Sequence, residues 1–385
     1  MRNIALFIFL VSSVFCWEQT SLKVDTEKNI TSTENINIKT LLDSVANKMI
    51  KKPLIHSTSI GIVYQGKEFI GHYGELEKGR ANCPDSETIY EIGSLSKTFT
   101  GMLVAKAVFE NKLSIEDEVQ RYLAEDYPNL KFKNQPILIK HLLSHTSGFP
   151  NMLPFEANKI LQDFTNHNTP RKLNEVYKNY GKEDFFKDLH KVKIDTIPGY
   201  KYSYSSAGTE LMAYILEKVY RTSFEKLLTD YLSKNIAMHN TKISLSNQEL
   251  KKLAVGYHSD NTVITSPMPK LPWGASGSIK STIPDMVKYI TFQLKNNKIV
   301  TESHKTTAKF DNEFSIGYFW NISTDDKKLG TFYVHHGGVP RSQCYIYIIP
   351  KYDLGVFIVT NQSGENTATV MEDALNEIFE KIAKK

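Results

Sequence analysis

The stretch Gly93-Ser94-Leu95-Ser96-Lys97, followed by the apolar run 99–109, decides how this chain is read. Only Thr100 and Lys106 interrupt the run with polar side chains, so it predicts a helix buried on most sides. Ser94 then stands at the helix start, where free backbone N–H groups and the positive dipole end favour a developing oxyanion. Ser94 and Lys97 are one turn apart and share a face. A lysine held in apolar surroundings sheds its proton and becomes a base for a neighbouring hydroxyl. The spacing by itself is common. A second copy, Ser223-Phe224-Glu225-Lys226, reads as structure, with Thr222 and Glu225 forming a capping box ahead of Leu227 and Leu228. Partners for Ser94 must therefore come from elsewhere in the chain.

The 385 residues suffice for one large domain or two intimate ones, and a net charge of +5 comes without a basic block. With no aromatic interleaving of the basic residues, nothing points to nucleic acid. Met1-Arg2-Asn3 and the apolar run 4–15 have the form of a signal peptide, too short for a comfortable membrane span. The expected organisation is a signal peptide over 1–16, a polar tether over 17–37 and a folded body over 38–382. Cleavage after Cys16 and lipidation of Cys16 both stay open, and a lipid on Cys16 would be the sole membrane attachment. Cys83 and Cys344 are the other cysteines, and sequence does not fix whether they pair.

Along the body, residues 59–64 and 68–73 read as two strands joined by a short turn at Gln65-Gly66-Lys67. A short helix is expected to open at Pro136. Residues 151–190 are expected to form helices and loops, and Leu211, Ile215, Leu216 and Val219 mark a further helix. Strands are expected at 314–320, 331–335, 344–349 and 355–360, then a helix over 367–381. Hairpins first, helices in the middle and strands last predict an α+β fold. One antiparallel sheet is built from both chain ends with flanking helices, and a mostly helical domain is inserted. The α/β part covers roughly 38–98 and 255–382, and the helical part roughly 99–254.

Four features line up along this chain. They are Ser94-x-x-Lys97, then His141-Leu142-Leu143-Ser144-His145-Thr146-Ser147-Gly148, then Tyr202-Ser203-Tyr204-Ser205-Ser206 after Pro198-Gly199, and finally His335-His336-Gly337-Gly338. Their order and spacing resemble the serine β-lactamase and penicillin-binding-protein superfamily over roughly residues 40–380. The nearest branch is the class C β-lactamase-related group, with its esterases, D-aminopeptidases and D-alanyl carboxypeptidases. The resemblance implies that Ser94 is the nucleophile forming an acyl-enzyme and Lys97 its activating partner. It makes Tyr204 a general base for Ser94 and acid for the leaving group, which requires a phenol pKa pulled down by nearby positive charge. His335 and Gly337 match the Lys-Thr-Gly strand lining the cleft. The N–H of Gly338 would join that of Ser94 as an oxyanion hole.

Two departures stand out. Ser206 replaces the family's asparagine, and a histidine replaces the strand lysine, which is a permanent cation for a substrate carboxylate. The first disfavours amide substrates and β-lactams; the second argues against a strong β-lactamase and leans toward an esterase or peptidase. His335 is preferred to His336 because Pro340 then falls where the family often has proline. Tyr202 is the fallback for Tyr204, and Ser206, His335, Gly337 and Gly338 are the expected substrate-binding residues.

His141 and His145 have zinc-ligand spacing, but a metalloprotease needs Glu where Leu142 stands. No metal or other cofactor is expected, and His145 and Ser147 read as structural. The stretch Trp273-Gly274-Ala275-Ser276-Gly277-Ser278 reads as a turn near the cleft rim. The expected function is an exported serine hydrolase, periplasmic, secreted or lipid-anchored. Its substrates would be small-molecule esters or D-amino-acid-containing peptides, with β-lactams slow substrates or inhibitors. The alternative is a cell-envelope binding or sensing protein on the same scaffold.

Overall fold

The computed structural model describes residues 37–383; the expected signal peptide, Cys16 and nearly all of the tether lie outside the described residues. Asn37 opens the first helix, Ile38–Ile50, its side chain accepting the Thr40 N–H at 3.1 Å. The hairpin Ser57–Tyr64 and Lys67–Gly74 follows. Its turn residues Gln65 and Gly66 both take positive φ, 50° and 71°, as a tight hairpin requires.

These strands join those of the other chain end. The eight-stranded antiparallel sheet runs, in space, Lys67–Gly74, Ser57–Tyr64, Leu354–Thr360, Ser342–Ile349, Gly330–Val339, Trp320–Asp326, Phe314–Gly317 and Ala308–Lys309. The seam between the chain ends pairs Ile60 with Ile358 and Ile62 with Val356. Alternation across the pleat divides the side chains. Leu354, Val356 and Ile358 pack under the helices Ile38–Ile50 and Glu365–Ala383, whereas Phe357 and Val359 join the larger core beneath Ile283–Leu294 and the helical body. Both faces are covered, so the strand reads as an unbroken apolar run. The fold is the α+β arrangement expected from the sequence, with a mostly helical insertion.

Local differences have physical causes. Residues 314–320 form no single strand, because Tyr318 and Phe319 take φ of 50° and 68° and turn the chain into a second strand. Two aromatics carry no turn signature. Pro136 sits in a two-residue strand against Lys131–Phe132, and the helix begins only at Ile139. Ser223, not Thr222, caps Phe224–Ile236, accepting the Lys226 N–H at 3.3 Å. Glu225 instead accepts from the Ile243 N–H and the Ser244 hydroxyl. Cys83 is exposed, Cys344 is buried, and both are free thiols.

Candidate active site

Ser94 lies on a single 3-10 turn, Gly93–Leu95, which runs directly into the helix Ser96–Phe109. Gly93 has φ of 53°, and a Cβ there would stand 2.8 Å from the Gly338 nitrogen. A Cβ on Gly337 would run into the Ile92 carbonyl. The two glycines therefore let the strand Gly330–Val339 press against the nucleophile turn. Gly338 is set beside Gly93, at the end of the helix where backbone donors lack intrahelical acceptors.

One neighbouring and one distant side chain meet at the Ser94 hydroxyl oxygen. Lys97 Nζ lies 3.2 Å from Ser94 Oγ, and the Tyr204 hydroxyl donates to the same oxygen at 2.7 Å. Lys97 Nζ also stands 4.8 Å from the centre of the Tyr204 ring. Lys97 is 0% exposed. Burial brings its pKa down from 10.5 to about 7, against the opposing pull of Glu210. Burial thus brings the titration of this amine toward neutral pH, where it can take up a proton.

The tyrosine behaves differently from the sequence expectation. Burial pushes the Tyr204 phenol above its ordinary range, and the bond to Ser94 offsets this only in part. Tyr204 is therefore a proton donor at rest. Tyr202, the alternative, sits edge-on to Phe310 at 5.6 Å between ring centres.

His335 and His336 point to opposite faces of their strand. His335 is buried on the cleft face with Gly337, and burial with nearby Lys97 holds it down to about 3. Its Nδ1 lies 2.7 Å from the His336 carbonyl, which accepts only an N–H, so Nε2 carries the lone pair. The His336 ring lies 4.6 Å from that of Tyr345, tilted by 48°, and the Tyr345 hydroxyl donates to Glu372 of the last helix. Ser206 opens the helix Ser206–Tyr220, and its N–H donates to the Asn151 carbonyl at 2.8 Å. The Lys97 amine reaches Ser94 and the Ser276 carbonyl instead of Ser206.

His141 and His145 do not share a helix face, since the helix ends at Leu143 and His145 takes φ of 56°. His145 Nδ1 accepts the Ser205 N–H at 3.2 Å, and its ring lies 4.5 Å from that of Tyr204. It braces the tyrosine from behind. Among the described residues no group of three or more His, Cys, Asp or Glu side chains is placed to hold a metal ion.

Sequence reasoning placed a turn at 273–278 but missed its contact with Lys97. The Ser276 carbonyl accepts from Lys97 Nζ at 2.7 Å, and the turn is tied to the helix Ser206–Tyr220 through Glu210 and Glu217. Those glutamates are seven residues apart and share a face. The signal was there, as two carboxylates on one side of the helix that follows Tyr204.

A family model described as Beta-lactamase matches residues 42–378. The protein flp of Staphylococcus aureus (strain MW2) is 27% identical over 349 residues, covering 88% of this chain and 66% of that relative. The chain thus spans just under two thirds of that relative's length. The β-lactamase/D-alanine carboxypeptidase from Yersinia pestis, complexed with citrate, superposes with a TM-score of 0.73 at 20% identity, over 89% of this chain and 97% of that one. The octameric penicillin-binding protein homologue from Pyrococcus abyssi gives 0.70 at 24% identity, over 91% and 79%. At such identities the two structures establish a shared fold. The family model runs from within the first helix to within the last, and on that match the chain belongs to the β-lactamase family.

Proposed function

We propose that this protein is an exported serine hydrolase that works through an acyl-enzyme on Ser94. The observation that carries the reading is the convergence of Lys97 Nζ and the Tyr204 hydroxyl on Ser94 Oγ, at 3.2 and 2.7 Å. Neutral Lys97 takes the Ser94 proton as Oγ attacks an acyl carbonyl. The tetrahedral oxyanion is met by the N–H groups of Ser94 and Gly338. Tyr204 passes its proton to the leaving oxygen or nitrogen and regains one from the Lys97 ammonium. Water then enters, and the same groups in reverse order release the acid.

The preferred substrates are esters and small D-amino-acid-containing peptides, with β-lactams turned over slowly. His335 supports this, because a neutral imidazole whose Nε2 carries the lone pair offers a carboxylate no charge. Export is supported by the apolar run 4–15 behind Arg2.

A fluorophosphonate or fluorescent penicillin should label the wild type and leave Ser94→Ala unlabelled. Equal labelling of the two ends the proposal. A chromogenic panel of a β-lactam, a short-chain ester and a D-alanyl anilide then ranks the substrates. Turnover that disappears in Lys97→Ala also removes the alternative of a binding or sensing protein without catalysis.

A further inference from the structure

We infer that Glu210 is a positioning residue for Lys97: it clamps the turn 273–276 so that the Ser276 carbonyl holds the amine against Ser94. This rests on the acyl-enzyme reading above. Glu210 is buried at 3% exposure on the helix Ser206–Tyr220. Its Oε2 accepts the N–H groups of Trp273 at 2.7 Å and Gly274 at 3.0 Å. Its Oε1 accepts the Ser276 N–H at 2.8 Å and the Ser276 hydroxyl at 2.7 Å. Every partner is a donor, and a carboxylate with two oxygens accepts all of them where an amide cannot.

The next link is equally short. The Ser276 carbonyl accepts from Lys97 Nζ at 2.7 Å, closer than Lys97 stands to Ser94. The rest of the turn is fixed to the nucleophile helix. The Thr100 hydroxyl donates to the Ala275 carbonyl at 3.1 Å, and the Ile279 N–H to Ser96 Oγ at 3.2 Å. Glu210 therefore sets the side from which the amine approaches the serine, although it does not touch Ser94.

Glu210 also acts through its charge. Lys97 is faced by Tyr204 and Ser94, by Glu210 from the helix, by His145 from the preceding loop and by His335 from the strand. Among these the carboxylate favours the ammonium, while burial opposes charge. Tyr177 faces Glu210 from another helix, with its hydroxyl given to the Leu153 carbonyl at 2.8 Å. Glu210 thus keeps the lysine from becoming permanently neutral, so that it can hold the serine proton and return it.

The test is the pH profile of the second-order labelling rate with the fluorophosphonate, for wild type and Glu210→Gln. The amide keeps the shape, turns an NH2 toward donors and removes the charge. The acid limb of the variant should move down by about one pH unit, and its plateau rate should fall about tenfold or more. A folded Glu210→Gln whose limb stays in place overturns the inference, whatever its stability. If Glu210→Gln does not fold, Glu210→Asp decides, since it keeps the charge and draws the clamp back. Its limb should then stay in place while its plateau drops, and an undiminished plateau overturns the inference. Labelling that does not depend on Ser94 would bring down the acyl-enzyme reading together with this one. Labelling lost in Ser94→Ala and unchanged in both Glu210 variants would bring down this one alone.

Discussion

Replacing Lys97 with methionine should abolish turnover and make the protein more stable. The side chain is fully buried, and its pKa falls from 10.5 in the unfolded chain to about 7 in the fold. At about 1.4 kcal/mol per pH unit, holding the ammonium there costs about 5 kcal/mol, of which about 4 applies at pH 7. Methionine avoids that cost and fills a similar volume. It loses the bonds to Ser94 and Ser276, together about 2 kcal/mol including the carbonyl left unpaired. The variant should therefore gain about 2 kcal/mol at pH 7. The sign with pH is fixed. Between about pH 7 and 10.5 the unfolded chain binds a proton that the folded protein has released. Well above pH 7, raising the pH thus stabilises the wild type relative to the variant by about 1.4 kcal/mol per unit, and the two should cross at about pH 9. Urea unfolding of both proteins from pH 6 to 9 measures this. A variant less stable than wild type at pH 6, or a gap independent of pH, would refute a buried and largely neutral amine.

Three further outcomes are expected. The acid limb of kcat/KM should reflect Lys97, with the rate falling about tenfold per unit below pH 7 because only the free amine accepts the serine proton; a flat profile from pH 5 to 9 would contradict this. Tyr204→Phe removes the 2.7 Å bond to Ser94, so kcat should drop by about 10² or more with KM little changed, as steady-state ester kinetics would show. Gly93→Ala forces a side chain onto a backbone at φ of 53°, 2.8 Å from the Gly338 nitrogen; a loss of about 1–3 kcal/mol by denaturant unfolding and of at least tenfold in kcat should follow.

The fold was legible because its signals are local and repeated. The hairpin at Gln65-Gly66 and the apolar strand 354–360 carry their periodicity on their surface, and joining the two chain ends needs only that both be strands. The residues that meet at the Ser94 hydroxyl were legible for a different reason. Ser94 and Lys97 are neighbours on one turn, and Tyr204 follows a turn signal at Pro198-Gly199. What escaped reading depends on three-dimensional approach. The 318–319 reversal uses two aromatics where glycine or asparagine would announce a turn. Glu210 is one residue before an apolar helix stripe, and its partners are backbone N–H groups more than sixty residues away. Backbone donors leave no mark on a sequence. The direction of the Tyr204 shift escaped on the same ground, since the burial that raises the phenol arises from packing between distant parts of the chain.

Burial links the stability and the chemistry of this site. The desolvation that lowers Lys97 also raises Tyr204 and holds His335 and His145 uncharged. A single cause therefore prepares a base, an acid and a neutral wall. A substrate carboxylate entering this cleft would be desolvated beside a lone pair on His335 Nε2, with no fixed cation at that position to compensate. A substrate presenting an N–H, a hydroxyl or an ammonium there would instead gain an acceptor. A lysine in place of His335 would reverse that preference, but it would also set a second ammonium near Lys97, making the catalytic amine harder to protonate and so weaker as a base. The strand wall and the proton chemistry are thus coupled, so a switch toward carboxylate-bearing substrates at this position alone should reduce the rate on all of them.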